Sequence, residues 1–105
     1  MAREQKYDVK ISTQAFRDLN THFYFLAEVS KDAANRLKST LLTDMRLLKT
    51  IPDRNPPYER RGVTPGKYRY KLSARRYRIV FHIDGNIVRV SGIEDCRQDD
   101  GSIQD

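Results

Sequence analysis

The sequence predicts an α+β domain in which a helical hairpin covers one side of a mainly antiparallel sheet. A short segment of alternating apolar residues comes first, two stretches of helical periodicity follow, and three alternating segments come after them. With 105 residues and 38% hydrophobic content, the chain is large enough for one core and too short for two. We therefore expect one two-layer domain over residues 1–105 with the element order β-α-α-β-β-β.

The first strand and both helices are predicted from the spacing of apolar residues. The stretch "YDVKI", residues 7–11, alternates apolar and charged side chains, as a strand with one buried face does. Ser12 or Thr13 is expected to cap a helix that continues to about Val29. Ser30 is expected to cap a second helix, so that the two helices form an antiparallel hairpin with almost no loop.

The last three strands are predicted in "KYRYKL", "YRIVFHI" and "IVRVSGI". A two-residue turn at Gly85-Asn86 joins the last two of them. A four-residue loop from Ser73 to Arg76 joins the first two and places Lys71 opposite Arg78. On this register the tyrosines face the helices, and the side chains that point away are Arg69, Lys71, Arg78, His82 and Arg89.

Positive charge is concentrated in one part of the chain. The formal net charge is +6, and residues 54–82 contain a single acid, Glu59, against nine cations, namely Arg54, Arg60, Arg61, Lys67, Arg69, Lys71, Arg75, Arg76 and Arg78. Four prolines and two glycines in residues 51–66 make that stretch a surface connection. The chain then ends in an acidic segment, which we expect to form a flexible tail from about residue 97. Such a local positive field attracts phosphates or an acidic protein segment.

Several classes of protein are disfavoured by what the sequence lacks. Cys96 is the only cysteine, so an internal disulfide is impossible, and no Cys/His cluster has metal-ligand spacing. No apolar run is long enough for a signal peptide or a membrane span. We expect a cytoplasmic protein without a cofactor, a metal or a membrane partner.

The order of the segments "KYRYKL", "YRIVFHIDGNIVRVSGI" and "DCRQD" resembles that of the RelE/ParE superfamily, the toxins of bacterial type II toxin-antitoxin systems. The resemblance covers nearly the whole chain and includes the superfamily's Tyr-Arg-hydrophobic-hydrophobic run, here residues 77–80. It implies a cognate antitoxin as partner and a function in growth inhibition and plasmid stabilisation.

Within that superfamily, the ribosome-dependent mRNA endonucleases carry basic residues on the exposed sheet face. By position, Arg69 and Lys71 match two lysines of the family's second strand, and Arg78 matches the arginine of the Tyr-Arg run. Arg97 lies near the arginine that follows the last strand. The resemblance thus implies a metal-independent endoribonuclease that binds the ribosome and its mRNA. Those nucleases often carry a Tyr or His in the C-terminal segment, whereas this chain ends in "QDDGSIQD".

The residues themselves suggest how RNA cleavage could work. Attack by a 2′-hydroxyl needs a base, cations for the phosphate and an acid for the leaving oxygen. Lys71, crowded by Arg78 on the predicted register, is one candidate base, and His82 is a second candidate for base or acid. Arg69, Arg78 and Arg97 would bind the phosphate. His22, next to core positions of the first helix, is expected to be structural.

Two alternatives to the nuclease remain open from the sequence. The long helical hairpin, predicted over roughly Ser12 to Thr50, resembles the branch of the superfamily that inhibits DNA gyrase by binding. The second alternative is a binding module of the same fold that has no catalytic activity.

Overall fold

Two helices pack against one face of a four-stranded sheet in the computed structural model, which describes residues 6–97. This arrangement confirms the predicted α+β fold. The elements, numbered along the chain, are β1 (Asp8–Ile11), α1 (Thr13–Ala27), α2 (Lys31–Arg46), β2 (Tyr68–Ser73), β3 (Tyr77–Asp84) and β4 (Ile87–Asp95). Apart from Arg97, the predicted acidic tail lies outside the described residues.

Both helices begin at the serines that the sequence predicts as caps. The hydroxyl oxygen of Ser12 accepts a hydrogen bond from the Ala15 N–H at 3.0 Å, and that of Ser30 accepts one from the Ala33 N–H at 3.1 Å. The hairpin is slightly shorter than predicted, because α2 gives way to a 3₁₀ turn at Leu47–Lys49. In residues 6–97 no helix combines the length and the apolar character needed to cross a bilayer.

The strand order in the sheet is β1-β4-β3-β2. β1 runs parallel to β4, and the other two pairs are antiparallel, so the sheet is mainly antiparallel as predicted. The predicted turn at Gly85-Asn86 is confirmed, since Asp84 pairs with Ile87 and Ile83 with Val88. Further along, the register between β3 and β4 shifts at Val80/Phe81, which marks a β-bulge in this hairpin.

The core lies between the helices and the sheet face that they cover. The central strand β3 contributes Ile79 and Phe81, both fully buried, and β4 contributes Val88 and Val90. From the helices come Ala15, Leu19, Leu37, Leu41 and Met45. We call the opposite side of the sheet, which the helices leave uncovered, the outer face.

The predicted register between β2 and β3 is wrong by one residue. Ser73 pairs with Tyr77, so the connecting loop has three residues, 74–76, and Lys71 lies opposite Ile79 instead of Arg78. Ala74 and Arg75 both adopt positive φ angles, 50° and 68°, and these tighten the loop. Because side chains alternate along a strand, a slip of one residue moves every side chain of β2 to the other face.

This shift reverses the predicted orientation of β2. Arg69 and Lys71 lie in register with Phe81 and Ile79, on the face that the helices cover. Their predicted position on the exposed face is therefore wrong. The residues of β2 on the outer face are Tyr68, Tyr70 and Leu72, which pair with His82, Val80 and Arg78.

Helix α1 is fixed to β4 at Ile93. β1 stops pairing at Val90, so the edge of β4 beyond that point has no neighbouring strand. A carboxylate oxygen of Asp18 accepts a hydrogen bond from the Ile93 N–H at 2.9 Å. His22 Nε2 lies 2.9 Å from the Ile93 carbonyl oxygen and donates to it, which supports the structural role predicted for this histidine. Side chains of α1 thus take the place of the missing strand.

Removal of the Asp18 carboxylate should destabilise the fold. Asp18→Ala leaves the Ile93 N–H without its acceptor, and we expect a loss of about 1–3 kcal/mol in the free energy of unfolding, measured by urea titration. Asn20→Ala, at an exposed position of the same helix, is the matched control and should change stability by less than about 0.5 kcal/mol. Equal stability of the two variants would contradict the importance of this contact.

Candidate functional site

Part of the outer face is covered by the connection that precedes β2. The Tyr58 N–H donates to the Tyr68 carbonyl at 2.8 Å, and the Tyr70 N–H donates to the Pro56 carbonyl at 3.0 Å. The rings of Tyr58 and Tyr70 meet nearly edge to face, with centroids 6.4 Å apart. Only 7% of Tyr58 is exposed. The basic connection therefore packs onto the sheet and is anchored there by Tyr58.

Glu94 neutralises the positive charge beneath this cover. It pairs in register with Arg78 on the outer face, and its Oε1 lies 3.6 Å from Arg78 Nε. Its Oε2 accepts hydrogen bonds from the Tyr58 hydroxyl at 2.5 Å and from Arg60 Nη1 at 3.2 Å. The guanidinium of Arg78 also lies over the Tyr70 ring, 5.5 Å from its centroid. Arg78 thus contacts both a carboxylate and an aromatic ring within the protein.

The environment of Tyr58 favours its neutral form. Burial, together with the hydrogen bond to Glu94 and the negative charge of Glu94, raises the pKa of Tyr58 to about 12. The neighbouring positive charges of Arg60 and Arg78 oppose this shift without cancelling it. The hydroxyl therefore stays protonated at neutral pH and acts as a donor to Glu94.

The two cations of β2 do not join this cluster. Arg69 donates from Nη1 to the carbonyl oxygen of Asn55 at 2.6 Å, so it secures the connection to the sheet edge. The Lys71 side chain makes no ion pair or hydrogen bond with any other residue in the range 6–97. The predicted crowding of Lys71 by Arg78 is absent, because the two side chains project from opposite faces of the sheet. The geometric reason for choosing Lys71 as a base is therefore removed.

His82 does lie on the outer face, as predicted. Its ring meets that of Tyr68 nearly edge to face at 5.2 Å, and within the described residues its Nδ1 is buried without a hydrogen-bond partner. Burial lowers the pKa of His82, and the positive charges of Lys67 and Arg89 lower it further against the opposing effect of Asp84. At neutral pH the ring is therefore uncharged, which suits a proton acceptor better than a donor.

Arg97 lies at the far end of β4, beside Asp95. Its Nε is 3.8 Å from Asp95 Oδ1, while Arg76 Nη2 donates to Asp95 Oδ2 at 2.8 Å. Burial alone would raise the pKa of Asp95, but the hydrogen bonds from Arg76 and from the Arg97 N–H, with their positive charges, lower it overall. Arg97 is thus part of an ion cluster at the end of the strand.

The five predicted catalytic residues do not converge on one point. Arg78 and His82 share the outer face of β3, yet they lie four positions apart, which is about 13 Å along a strand. Arg69 and Lys71 lie on the other face, and Arg97 lies beyond the end of β4. Their catalytic roles stay predictions. Nowhere in residues 6–97 do three or more His, Cys, Asp or Glu side chains come together in a way that could hold a metal ion.

Sequence reasoning missed the two residues that organise the outer face. Glu94 lies just before the acidic end of the chain and Tyr58 lies in the proline-rich connection, so neither stands out in the sequence. The available signal was register, because Glu94 falls opposite Arg78 once the bulge in the β3–β4 hairpin is taken into account. No comparable signal marked Tyr58, whose position depends on long-range packing.

Tyr58 gives stability a dependence on alkaline pH. Its pKa is about 12 in the folded chain against 10 for an ordinary tyrosine, so its contribution is complete below pH 10 and is lost as pH rises toward 12. The loss should approach roughly 2–3 kcal/mol. Tyr58→Phe has no such proton to lose, and its free energy of unfolding should fall less steeply between pH 10 and 12. Tyr24→Phe, which removes an exposed phenol, should follow the unmodified protein, and a Tyr58→Phe curve parallel to it would refute the assignment.

Comparison with known proteins agrees with this architecture. The family model for the ParE toxin of type II toxin-antitoxin systems, parDE, matches residues 9–100. No curated protein matches the sequence. Among solved structures, the chromosomal ParDE TA system from P. aeruginosa contains a similar chain, with 13% identity and a TM-score of 0.70, over 87% of this chain and 97% of that one. At that identity the structural likeness establishes the fold, and the family match extends over most of the sequence. The chain belongs to the ParE toxin family of type II toxin-antitoxin systems.

Proposed function

We propose that this toxin arrests growth by binding DNA gyrase, without an active site of its own, and that a cognate antitoxin neutralises it. The observation that carries the proposal is the position of the basic residues. Lys71 and Arg78 lie on opposite faces, and Arg78 is held by Glu94. RNA cleavage needs a base, an acid and phosphate-binding cations within reach of one phosphodiester, and the candidates here are too far apart for that.

The helical hairpin supplies a surface suited to binding a protein target. Near the end of α1, Tyr24, Phe25 and Val29 are 65%, 68% and 81% exposed. Aromatic and aliphatic side chains exposed together favour contact with another protein, because their burial releases water from apolar surface. The hairpin is also the feature that resembles the gyrase-directed branch of the superfamily.

The positive charge of the chain is suited to binding an acidic antitoxin. The net charge is +6, and two cations of the β2–β3 region, Lys71 and Arg75, make no ion pair with residues 6–97. An acidic partner would be attracted to them. On this proposal the toxin acts in the cytoplasm, where gyrase is.

The rival mechanism is cleavage of ribosome-bound mRNA. It would have to use Arg78 and His82 on the outer face, because Arg69 and Lys71 are turned away from them. Arg78 would first have to exchange its contact with Glu94 for the RNA phosphate. The two mechanisms make opposite predictions for the same variants.

Substitution of the candidate bases should leave toxicity unchanged. Lys71→Arg keeps the charge but cannot accept a proton near neutral pH, and His82→Gln removes the imidazole. In cells that express the toxin alone, we expect both variants to arrest growth as the unmodified chain does. Primer extension should find intact mRNA, and plasmid DNA should lose negative supercoiling. A loss of mRNA cleavage of roughly 10²-fold or more in either variant would establish the nuclease instead.

Substitution at the end of the hairpin should weaken the toxin. Phe25→Ala combined with Val29→Ala removes exposed apolar area without opening the core, so the fold should keep its stability. We expect inhibition of purified gyrase in a supercoiling assay to require at least about 10-fold more of this variant. Leu47→Ala removes an exposed leucine, 52% accessible, from the opposite end of the hairpin and serves as the control. Equal inhibition by the two variants would show that gyrase binds elsewhere.

A further inference from the structure

The exposed side of helix α2 carries positive charges and hydroxyls. Beyond Asn35, the exposed residues of this helix are Arg36, Ser39, Thr40, Thr43 and Arg46. They recur at intervals of three or four residues, so they lie along one side of the helix. We call these five residues the α2 stripe. Its length is about 15 Å, at 1.5 Å per residue.

No carboxylate interrupts the α2 stripe. The two acids of this helix are Asp32, in the first turn, and Asp44. Asp44 is half-buried and accepts a hydrogen bond from the Ser73 hydroxyl at 2.6 Å, so it is directed toward the sheet. Asp32 precedes the stripe by four residues, and no ion pair joins it to Arg36. A solvated helix face ordinarily mixes acids with bases, whereas this stripe has one sign of charge.

The α2 stripe does not hold the fold together through polar contacts. None of its five side chains forms a hydrogen bond or an ion pair with another residue in the range 6–97. Serine and threonine are poorer helix formers than alanine, lysine or glutamate. Ser39, Thr40 and Thr43 therefore weaken the middle of α2, and no polar contact compensates for this. Residues that oppose the local structure in this way are expected at functional surfaces.

The chemistry of the stripe matches a row of phosphate groups. Phosphate oxygens accept hydrogen bonds, while guanidinium and hydroxyl groups donate them. Arginine, serine and threonine side chains are among the groups that contact the DNA backbone in protein complexes. A stripe of about 15 Å spans roughly four base pairs of duplex at 3.4 Å each. Several neighbouring phosphates can therefore be contacted at once.

We propose that the α2 stripe binds the sugar-phosphate backbone of duplex DNA, with Arg36 and Arg46 on phosphates and the hydroxyls of the stripe between them. Contacts of this kind carry no sequence information, so binding should not depend on the base sequence. The proposal rests on the proposed function only for the source of the DNA, which is the duplex that gyrase holds.

The polarity of the stripe favours DNA over an acidic protein. Between Arg36 and Arg46 the helix exposes no apolar side chain, and its apolar residues Leu37, Leu41 and Met45 are buried in the core. Protein interfaces depend on apolar and aromatic anchors, whereas protein–DNA interfaces are more polar and more positive. A membrane surface would also require an exposed apolar side of the helix.

The test measures binding of a fluorescein-labelled duplex of random sequence to the purified toxin by fluorescence anisotropy. Arg36→Gln combined with Arg46→Gln should weaken binding at least 10-fold. Each phosphate contact contributes about 0.9 to the slope of log K against log salt concentration, so the slope should become smaller by about 2. Arg17→Gln combined with Arg61→Gln removes the same charge at two exposed positions outside the stripe and is the matched control.

Equal weakening by the two double variants would overturn the proposal, as would failure of the unmodified toxin to bind the duplex at low salt. Glutamine is a good helix former, so both variants should stay folded, which circular dichroism checks. Polyglutamate with the same number of charges is the competitor. If it displaced the duplex as well as unlabelled duplex does, the stripe would bind acidic protein and the proposal would be wrong.

A further substitution tests a hydroxyl without changing the charge. Thr43→Val keeps the shape and a similar helix propensity but removes the hydroxyl donor. We expect it to bind the duplex about 5-fold more weakly than the unmodified toxin. Thr21→Val, at an exposed position of α1, is the control and should bind normally. Equal binding by the two valine variants would overturn the contact between this hydroxyl and the DNA.

Failure of this inference and failure of the proposed function give different results. If duplex binding does not depend on the stripe while the toxin still inhibits gyrase, only the stripe assignment is wrong. If the stripe binds the duplex as expected but the toxin cuts mRNA and leaves gyrase active, the stripe assignment holds and the gyrase target is wrong.

Discussion

The contact between α1 and Ile93 of β4 determines how the two layers fit together. β1 is only four residues long and leaves the rest of the β4 edge unpaired. A strand edge buried under a helix would normally leave main-chain groups without partners, at a cost in free energy. Asp18 and His22, one helical turn apart, provide an acceptor and a donor for the two groups of the same residue. Gly92 permits this approach, because a Cβ there would lie 3.0 Å from the Asp18 carboxylate. The contact fixes the rotation of α1 about its own axis, and with it which side chains reach the core.

The positive side chains of the sheet have different surroundings on its two faces. On the outer face, Glu94 lies among Arg60, Arg78 and Tyr58, so positive groups that would repel each other share one carboxylate. Such a cluster stabilises the packing of the connection on the sheet, and its arginines are committed to contacts inside the protein. On the helix-covered side of β2, Lys71 has no comparable carboxylate among the described residues. The cations that form one block in the sequence are therefore divided in the structure. Arg60 and Arg78 share the carboxylate of Glu94, whereas the Lys71 side chain lies on the edge strand without an ion pair among the described residues.

Most of the fold could be predicted from the sequence because its signals are local. Ser12 and Ser30 cap helices through their own hydroxyls, and Gly85-Asn86 sets its hairpin through backbone conformation. The candidate site could not be predicted in the same way. The orientation of β2 depends on the three-residue loop that follows it. Ala74 and Arg75 adopt positive φ angles there, although neither residue type prefers them. The alternation of apolar residues in β2 does not predict this register, because Tyr68, Tyr70 and Leu72 are compatible with either face of the sheet. The register was decided by contacts distant in sequence, such as Tyr58 on Tyr70 and Asp44 with Ser73.

The two edges of the sheet are closed in different ways. Beyond Val90, the β4 edge is closed by side chains of the toxin's own helix, so no partner can pair there without displacing α1. The β2 edge is closed only as far as two consecutive prolines allow, and the remaining stretch exposes main-chain groups beside a lysine and a leucine. An edge of this kind would promote aggregation if it were long and apolar, but here it is short and charged. Because this edge is short and carries positive charge, pairing with the same edge of a second copy is disfavoured.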